Sequence, residues 1–267
     1  LVMTVNGPIP SADLGVTLMH EHLQNDCSCW WNPPGPERQH LAEGPVRIEI
    51  LSELRQDPFV NKHNIALDEL DLCIEEVAAF AQAGGRTIVD PTCRGIGRDP
   101  VKLRRIAAGS GLNIVMGSGY YLASSMPEEV ARLSIDDIAD QIVTEAVHST
   151  DGTDAKIGLI GEIGVSSDFT PEEEKSLRGA ARAQVRTKLP LMVHLPGWFR
   201  LGHRVLDIVE AEGADLTHTV LCHMNPSHDD WDYQRKVAER GAFIEFDMIG
   251  MDYFYADQQV QCPSDDE

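Results

Sequence analysis

The sequence is poor in basic residues. Its 267 residues include 22 lysines and arginines against 43 aspartates and glutamates, which gives a formal net charge of −21. A surface of this charge repels phosphate backbones and acidic membranes, so binding to nucleic acid or to a membrane is not expected. The charge favours solubility and the binding of cations, but it identifies no substrate.

Long apolar runs are missing as well. No stretch approaches the roughly 20 apolar residues of a membrane span, and no basic segment followed by an apolar one begins the chain, as a secretory signal would require. The six cysteines do not form two pairs at zinc-ribbon spacing. We therefore expect reduced thiols in a cytoplasmic protein that acts on a small-molecule substrate, and we leave open whether it forms a homodimer.

Short apolar runs alternate with amphipathic stretches along the chain. The predicted strands are residues 15–19, 87–90, 113–117, 157–163, 191–194, 219–223 and 243–247. The predicted helices are residues 67–83, 101–108, 134–148, 171–187, 202–212 and 231–240. Strands that alternate with helices imply parallel βαβ units. The pattern favours a TIM barrel over an open doubly wound sheet, in one domain of residues 1–267.

Two segments depart from this alternation. Residues 1–13 read as an N-terminal hairpin, with Asn6-Gly7 as the turn. Residues 24–66 form a long connection after the first strand, rich in proline, tryptophan and charge. A long loop of this kind is either functional, often as a lid, or a surface insertion. We expect Trp30 and Trp31 to form an apolar wall over a site.

Polar residues recur where the predicted strands end. They are His20 and His22 on the first strand, Glu162 on the fourth, His194 on the fifth, His223 on the sixth and Asp247 on the seventh. Active sites of TIM barrels form at the carboxyl ends of the strands. Any one of these histidines alone has an ordinary structural explanation, but together they predict a metal site.

The predicted site has more ligands than one ion needs. Imidazole and carboxylate suit zinc, and also manganese, iron or cobalt. On a strand, His20 and His22 lie on the same face because side chains alternate with period 2. Glu162 can bridge two ions, with His20 and His22 on one and His194 and His223 on the other.

Several segments resemble the phosphotriesterase family of the amidohydrolase superfamily, in particular its phosphotriesterase-related, lactonase-like branch with a bridging glutamate. They are Gly7-Pro8-Ile9-Pro10, Leu14-Gly15-Val16-Thr17-Leu18-Met19-His20-Glu21-His22-Leu23, Gly95-Ile96-Gly97-Arg98-Asp99 and Gly117-Ser118-Gly119-Tyr120-Tyr121. The resemblance spans essentially the whole chain. It implies a (β/α)8 barrel with two divalent metal ions held by the five residues just named as ligands.

The chain departs from the family pattern at three places. Glu162 stands where many members carry a carboxylated lysine. Met248 follows Asp247 where phosphotriesterases proper tend to have a histidine, which counts against phosphotriester hydrolysis. No eighth strand fits before Glu267, so we expect a longer polypeptide, with the family's general base beyond Glu267. Asp247 is the candidate base within the chain; its alternative role is to orient a ligand histidine.

The resemblance implies a metal-dependent hydrolase in which a metal-bridging hydroxide attacks a lactone or related carboxyl ester. The alternatives are a phosphotriester hydrolase and a non-catalytic, metal-containing barrel that binds a small ligand. Tyr121 resembles a tyrosine that shapes the substrate pocket of lactonase-like branches. Trp198 is a second candidate for substrate binding, as an apolar wall after His194.

Overall fold

Strands and helices alternate along the chain in a computed structural model that describes residues 1–266. The strands are β1 (Val2–Thr4), β2 (Gly7–Ile9), β3 (Val16–Leu18), β4 (Asn25–Asp26), β5 (Ala66–Leu67), β6 (Gly85–Asp90), β7 (Asn113–Met116), β8 (Ile160–Gly164), β9 (Leu191–His194), β10 (Thr219–Leu221), β11 (Phe243–Ile244), β12 (Phe254–Tyr255) and β13 (Val260–Gln261). The α-helices are α1 (Leu51–Leu54), α2 (Leu70–Gln82), α3 (Pro100–Ser110), α4 (Ile135–Val147), α5 (Pro171–Thr187), α6 (Gly202–Ala211) and α7 (Trp231–Ala238). None of the helices within residues 1–266 has the length and hydropathy of a membrane span.

Parallel pairing dominates the sheets. Strands β3, β6 and β7 form one parallel sheet, and β8, β9, β10 and β11 form another. Backbone hydrogen bonds link the two sheets, since Gly158 N donates to Met116 O (2.9 Å) and Gly164 N donates to Tyr120 O (3.1 Å). The parallel strands therefore follow one another in chain order. They are β3, β6, β7, β8, β9, β10 and β11. Within residues 1–266 no pairing joins β11 to β3, so closure into a barrel with an eighth strand stays a prediction.

The core follows from strands that are apolar on both faces. Ile88, Ile114, Ile160, Leu191 and Leu221 lie on five different strands and are at most 1% exposed. Such strands are typical of parallel sheets covered by helices on one face and filled by side chains on the other. The polar side chains predicted at the site lie at or beyond the carboxyl ends of these strands.

Four strands are shorter than predicted at their carboxyl ends. Strand β3 ends at Leu18, β7 ends at Met116, β10 ends at Leu221 and β11 ends at Ile244. At β10 the cause is local, because His223 has a φ of 61° and cannot continue an extended strand. The chain still follows its neighbour past β3, where Glu21 N donates to Val89 O (3.0 Å). His20, His22, His223 and Asp247 thus lie beyond the ends of their strands, whereas Glu162 and His194 lie within β8 and β9.

The segment between β4 and β5 is ordered. Its two ends pair antiparallel, with Asn25 opposite Leu67 and Asp26 opposite Ala66. Between them it carries α1, several turns of 3-10 helix and an apolar cluster of its own, formed by Leu41, Leu54, Val60, Val46 and Ile50. The predicted long loop is therefore a small packed unit set on the carboxyl end of the first sheet. The amino-terminal hairpin of β1 and β2 lies at the opposite end, where Val5 N donates to Ile114 O (2.9 Å).

Glu173 ties two loops to the start of α5. Thr170 caps this helix, and the Glu173 carboxylate accepts hydrogen bonds from Thr170 N, Ser166 N and Ala123 N, all at 3.1 Å, and from Ser166 Oγ at 2.8 Å. Its side chain is buried, at 1% exposed. Reciprocal capping of this kind stabilises a helix start. Here the same carboxylate also holds the loops that follow β7 and β8.

We expect Glu173→Gln to destabilise the protein, because the amide nitrogen of glutamine would face donors that now meet a carboxylate oxygen. Hydrogen bonds to charged groups contribute about 1.5–3 kcal/mol each, so we expect the free energy of unfolding to fall by about 2–3 kcal/mol. Urea unfolding measures this change. Glu172→Gln, an exposed change in the same helical turn, is the control, and an equal effect of both variants would contradict the assignment.

Candidate metal centre

Glu162 stands at the centre of the predicted site. It lies in β8, and its side chain is 2% exposed. The four predicted ligand histidines direct a ring nitrogen at its two carboxylate oxygens. The distances are 3.5 Å from His20 Nε2, 3.1 Å from His22 Nε2, 3.1 Å from His194 Nδ1 and 3.2 Å from His223 Nε2. The structure thus brings the five predicted ligands together, and their role as ligands stays a prediction.

Three of these histidines share one arrangement. Each turns Nε2 toward Glu162 and holds Nδ1 against an oxygen on the far side of its ring. The Nδ1 pairs are His20 with Glu245 Oε2 (3.1 Å), His22 with Thr92 Oγ1 (2.9 Å) and His223 with Asp247 Oδ1 (3.0 Å). An oxygen acceptor on the outer nitrogen fixes the tautomer and orients a metal-binding imidazole.

His194 differs from the other three. Its Nδ1 faces Glu162 and lies 2.8 Å from His223 Nε2. Its outer side meets the Tyr121 hydroxyl at 3.4–3.5 Å from the two ring nitrogens, and that hydroxyl accepts a hydrogen bond from Trp30 Nε1 (3.2 Å). His194 thus reaches the centre through the nitrogen opposite to that used by its neighbours.

The donor set fits divalent cations. His20 Nε2 is buried and has no hydrogen-bond partner within residues 1–266. Two neutral imidazole nitrogens at 2.8 Å, such as those of His194 and His223, must share a proton or face a common cation. One ligand atom each of His20, Glu162 and His223 lies within 4.8 Å of the other two. Nitrogen and oxygen donors of this kind suit zinc, manganese, iron or cobalt.

The electrostatics favour a charged carboxylate at the centre. Burial alone would raise the pKa of Glu162, but the charges of His20 and His194 outweigh burial and hold that pKa well below its ordinary value. At His223, burial would lower the pKa, and the charge of Asp247 instead raises it to about 9. The pKa of Asp247 is lowered in turn, because the charge of His223 outweighs its burial.

A row of aromatic rings leads away from the centre. Trp30 lies 6.3 Å from the ring of His194 and stacks on Phe59 at 5.2 Å between centroids. Phe59 lies 5.4 Å from Tyr255, and Tyr255 lies 5.2 Å from Trp198. The two predicted substrate residues therefore differ in place: Tyr121 touches His194, whereas Trp198 stands at the outer end of the row. There Trp198 Nε1 donates to Gln261 O (2.8 Å).

The sequence patterns did not identify two polar residues of the site, Glu245 and Thr92. Glu245 lies two residues before Asp247, and period-2 alternation would have placed both on one face of the strand. Thr92 follows β6 in a turn where Thr92 N donates to Asp90 Oδ1 (2.9 Å), and no pattern in the sequence marks it. Asp247, predicted as a candidate base, lies on the outer nitrogen of His223 and also accepts a hydrogen bond from His223 N (3.1 Å).

The chain is similar to several known proteins over almost its whole length. The family model described as phosphotriesterase family matches residues 1–261. The N-acetyltaurine hydrolase of Tetraodon nigroviridis is 34% identical over 270 residues, which cover 100% of this chain and 77% of that protein. The crystal structure of a resiniferatoxin-binding protein from Rhodobacter sphaeroides is 80% identical, with a TM-score of 0.98 over 99% of this chain and 74% of that one.

A phosphotriesterase-like lactonase from Deinococcus radiodurans, solved as a mutant, is 26% identical, with a TM-score of 0.75 over 100% of this chain and 74% of that one. These likenesses imply the TIM-barrel arrangement for the parallel strands, and the family is typically metal-dependent. The matching segments predicted from the sequence, the geometry around Glu162 and the family match over residues 1–261 agree: the chain belongs to the phosphotriesterase family.

Proposed function

We propose that this protein is a metal-dependent hydrolase that opens a lactone or a related carboxyl ester. The observation that carries the proposal is the convergence of four imidazoles on the buried carboxylate of Glu162. His20, His22, His194 and His223 would hold two divalent ions, with Glu162 shared between them. Such ions, when bound, supply a hydroxide nucleophile near neutral pH and polarise the oxygen of the scissile bond.

The chain's own residues orient this centre. Both carboxylate oxygens of Asp247 contact His223. One lies at Nδ1, and the other accepts a hydrogen bond from the backbone N–H. A carboxylate committed in this way, with a lowered pKa, is a poor acceptor for a proton from the reaction. We therefore assign Asp247 to holding His223 in place rather than to general base catalysis.

The substrate side is aromatic and apolar. The Tyr121 hydroxyl accepts a hydrogen bond from Trp30 Nε1 and lies 3.4–3.5 Å from the ring nitrogens of His194, so a substrate oxygen that received its proton would replace His194 as the acceptor. Trp30 and Phe59 would cover the apolar part of that substrate. Met248 packs among Tyr255, Phe59 and Trp198, where a thioether extends the apolar wall and relays no proton. This packing supports a lactone or ester over a phosphotriester.

We expect the metal-loaded protein to hydrolyse lactones that carry an alkyl chain, and to do so faster than it hydrolyses paraoxon or an N-acetylated amine. The N-acetylated amine is included because the Tetraodon nigroviridis relative is named N-acetyltaurine hydrolase. His20→Ala should lower lactone turnover by more than about 100-fold, the upper range for loss of an outer partner of a metal ligand. Turnover is followed by acid release, and metal content is measured in the same samples.

The matched control is His218→Ala, because the His218 side chain is 61% exposed and pairs with Asp215 just before β10, at the end of that strand opposite to His223. Full metal occupancy without turnover of any substrate would leave only the ligand-binding alternative. Fewer than about one ion per chain would contradict the metal-dependent assignment itself, since the family chemistry requires a bound ion.

A further inference from the structure

Glu245 brings a carboxylate to the metal centre that the proposed reaction has not used. It follows β11, where Glu245 N donates to Leu221 O (2.9 Å) and keeps the chain beside β10. Its Oε2 lies 3.1 Å from His20 Nδ1, and its side chain is only 14% exposed. Within residues 1–266, His20 is the one residue that forms a hydrogen bond or ion pair with the Glu245 side chain.

The ring of His20 has two different surroundings. Nδ1 faces Glu245, whereas the buried Nε2 lies 3.5 Å from Glu162 and has no hydrogen-bond partner among the described residues. With its proton on Nδ1, the imidazole donates to Glu245 and keeps a lone pair on Nε2. With the proton on Nε2 instead, the lone pair of Nδ1 would face a carboxylate oxygen at 3.1 Å. The Glu245 carboxylate therefore selects the tautomer that binds metal through Nε2.

Two other groups lie near His20. Asp247 Oδ2 lies 3.3 Å from His20 Nδ1 and shares this contact with His223, to which both Asp247 oxygens also bind. The thiol of Cys222 lies in the same cluster and is a weak acceptor. Glu245 is the acceptor that serves His20 alone.

We propose that Glu245 is a positioning residue that accepts the Nδ1 proton of His20 and thereby presents His20 Nε2 as a metal ligand. The inference rests on the proposed metal-dependent function and assigns His20 the outer partner that Thr92 and Asp247 provide for His22 and His223. Loss of such an outer partner typically lowers metal affinity by about 10–100-fold.

The test combines zinc affinity with proton NMR of protein labelled with 15N-histidine. Glu245→Gln keeps the shape of the side chain and removes its charge. We expect zinc affinity, measured by competition with a chromophoric chelator, to fall by about 10–100-fold. We also expect the downfield proton signal on His20 Nδ1 to shift or vanish, which loss of stability alone would not cause. Glu172→Gln, an exposed change in the first turn of α5, removes the same charge and should leave zinc affinity within about twofold of wild type and the His20 Nδ1 signal unshifted, since exposed charges are strongly screened.

Wild-type zinc affinity together with an unchanged Nδ1 signal in Glu245→Gln would overturn the inference while leaving the metal site intact. A wild-type protein that binds no zinc would contradict the proposed function. The NMR of that metal-free protein would still decide the role of Glu245, because the hydrogen bond predicts a protected proton on His20 Nδ1 whether or not zinc is bound. The absence of that proton in the wild type would overturn the inference even if Glu245→Gln failed to fold.

Discussion

Replacing Glu162 with glutamine should abolish metal binding and turnover together, with losses of more than about 100-fold, above the range for outer partners of metal ligands. Glutamine keeps the shape of the side chain but removes the charge on which four imidazoles converge. It also replaces one of the two oxygens with an amide NH2 group, which has donors only and cannot bind a metal ion. Zinc titration and lactone turnover on the same samples measure both losses.

Glu162→Asp is the second variant to test. It keeps the carboxylate charge, but its side chain is shorter by one methylene, so the carboxylate lies farther from the histidines. We expect weaker zinc binding than in the wild type but tighter binding than in Glu162→Gln. Retention of normal metal content and turnover in Glu162→Gln would show that the four histidines bind metal without a bridging carboxylate, and the proposed centre would be wrong.

The second large effect concerns stability and lies away from the metal centre. The guanidinium of Arg98 is 1% exposed and pairs with Glu145 (2.7 Å) and Asp151 (2.9 Å). It also donates to Thr150 Oγ1 (2.7 Å) and to Gly117 O (3.3 Å), the carbonyl just beyond β7. Arg98→Met would leave the buried carboxylate of Glu145 paired with the partly exposed Arg94 alone among the described cations. Removing one partner of a buried ion pair costs about 3–5 kcal/mol, and because Arg94 remains we expect a loss near the lower end of this range in urea unfolding.

Arg186→Met is the control for Arg98→Met. Arg186 pairs with Asp140, and both side chains are well exposed, at 45% and 64%. An exposed pair of this kind contributes at most about 1 kcal/mol. Equal losses in the two variants would mean that the Arg98 network contributes nothing beyond an ordinary surface pair.

The Arg98 network also predicts a pH dependence. Burial would raise the pKa of Glu145, but its hydrogen bonds and charge pairing with Arg98 lower it from the ordinary value of 4.5. A carboxyl whose pKa is lower in the folded protein contributes stability above its unfolded pKa and loses it as the pH falls through its folded pKa. The difference in stability between wild type and Arg98→Met should therefore be largest above pH 4.5 and shrink in acid.

The helices were predictable because their ends carry local signals. Helix α5 spans Pro171–Thr187 as predicted, since Thr170 and Pro171 form a capping start that depends only on adjacent residues. Strand ends were less predictable. The left-handed φ of His223 ends β10 two residues early, and no sequence pattern distinguishes that histidine from one inside a strand.

Contacts between distant segments account for what the sequence could not predict at the site. The apolar runs that alternate with amphipathic stretches predicted parallel strands, and polar residues recur at the predicted carboxyl ends of those strands. The sequence therefore predicted that the residues around Glu162 lie close together. The aromatic row was not predictable, because Phe59 and Tyr255 are far apart in the chain and meet only through tertiary packing. Glu245 was overlooked, although it shares a face with Asp247 in the predicted strand, because an acid in an apolar strand reads equally well as facing solvent.

The antiparallel pair of β4 and β5 has a consequence for how this protein can change over evolutionary time. Because the pair joins the two ends of the segment that carries Trp30 and Phe59, the chain enters and leaves this segment at one point. Insertions or replacements inside such a closed segment change little in the cost of closing it and need not strain the strands beneath. Selection can thus reshape the wall over the substrate while the histidines and Glu162 stay fixed, so that new specificities arise without rebuilding the catalytic framework.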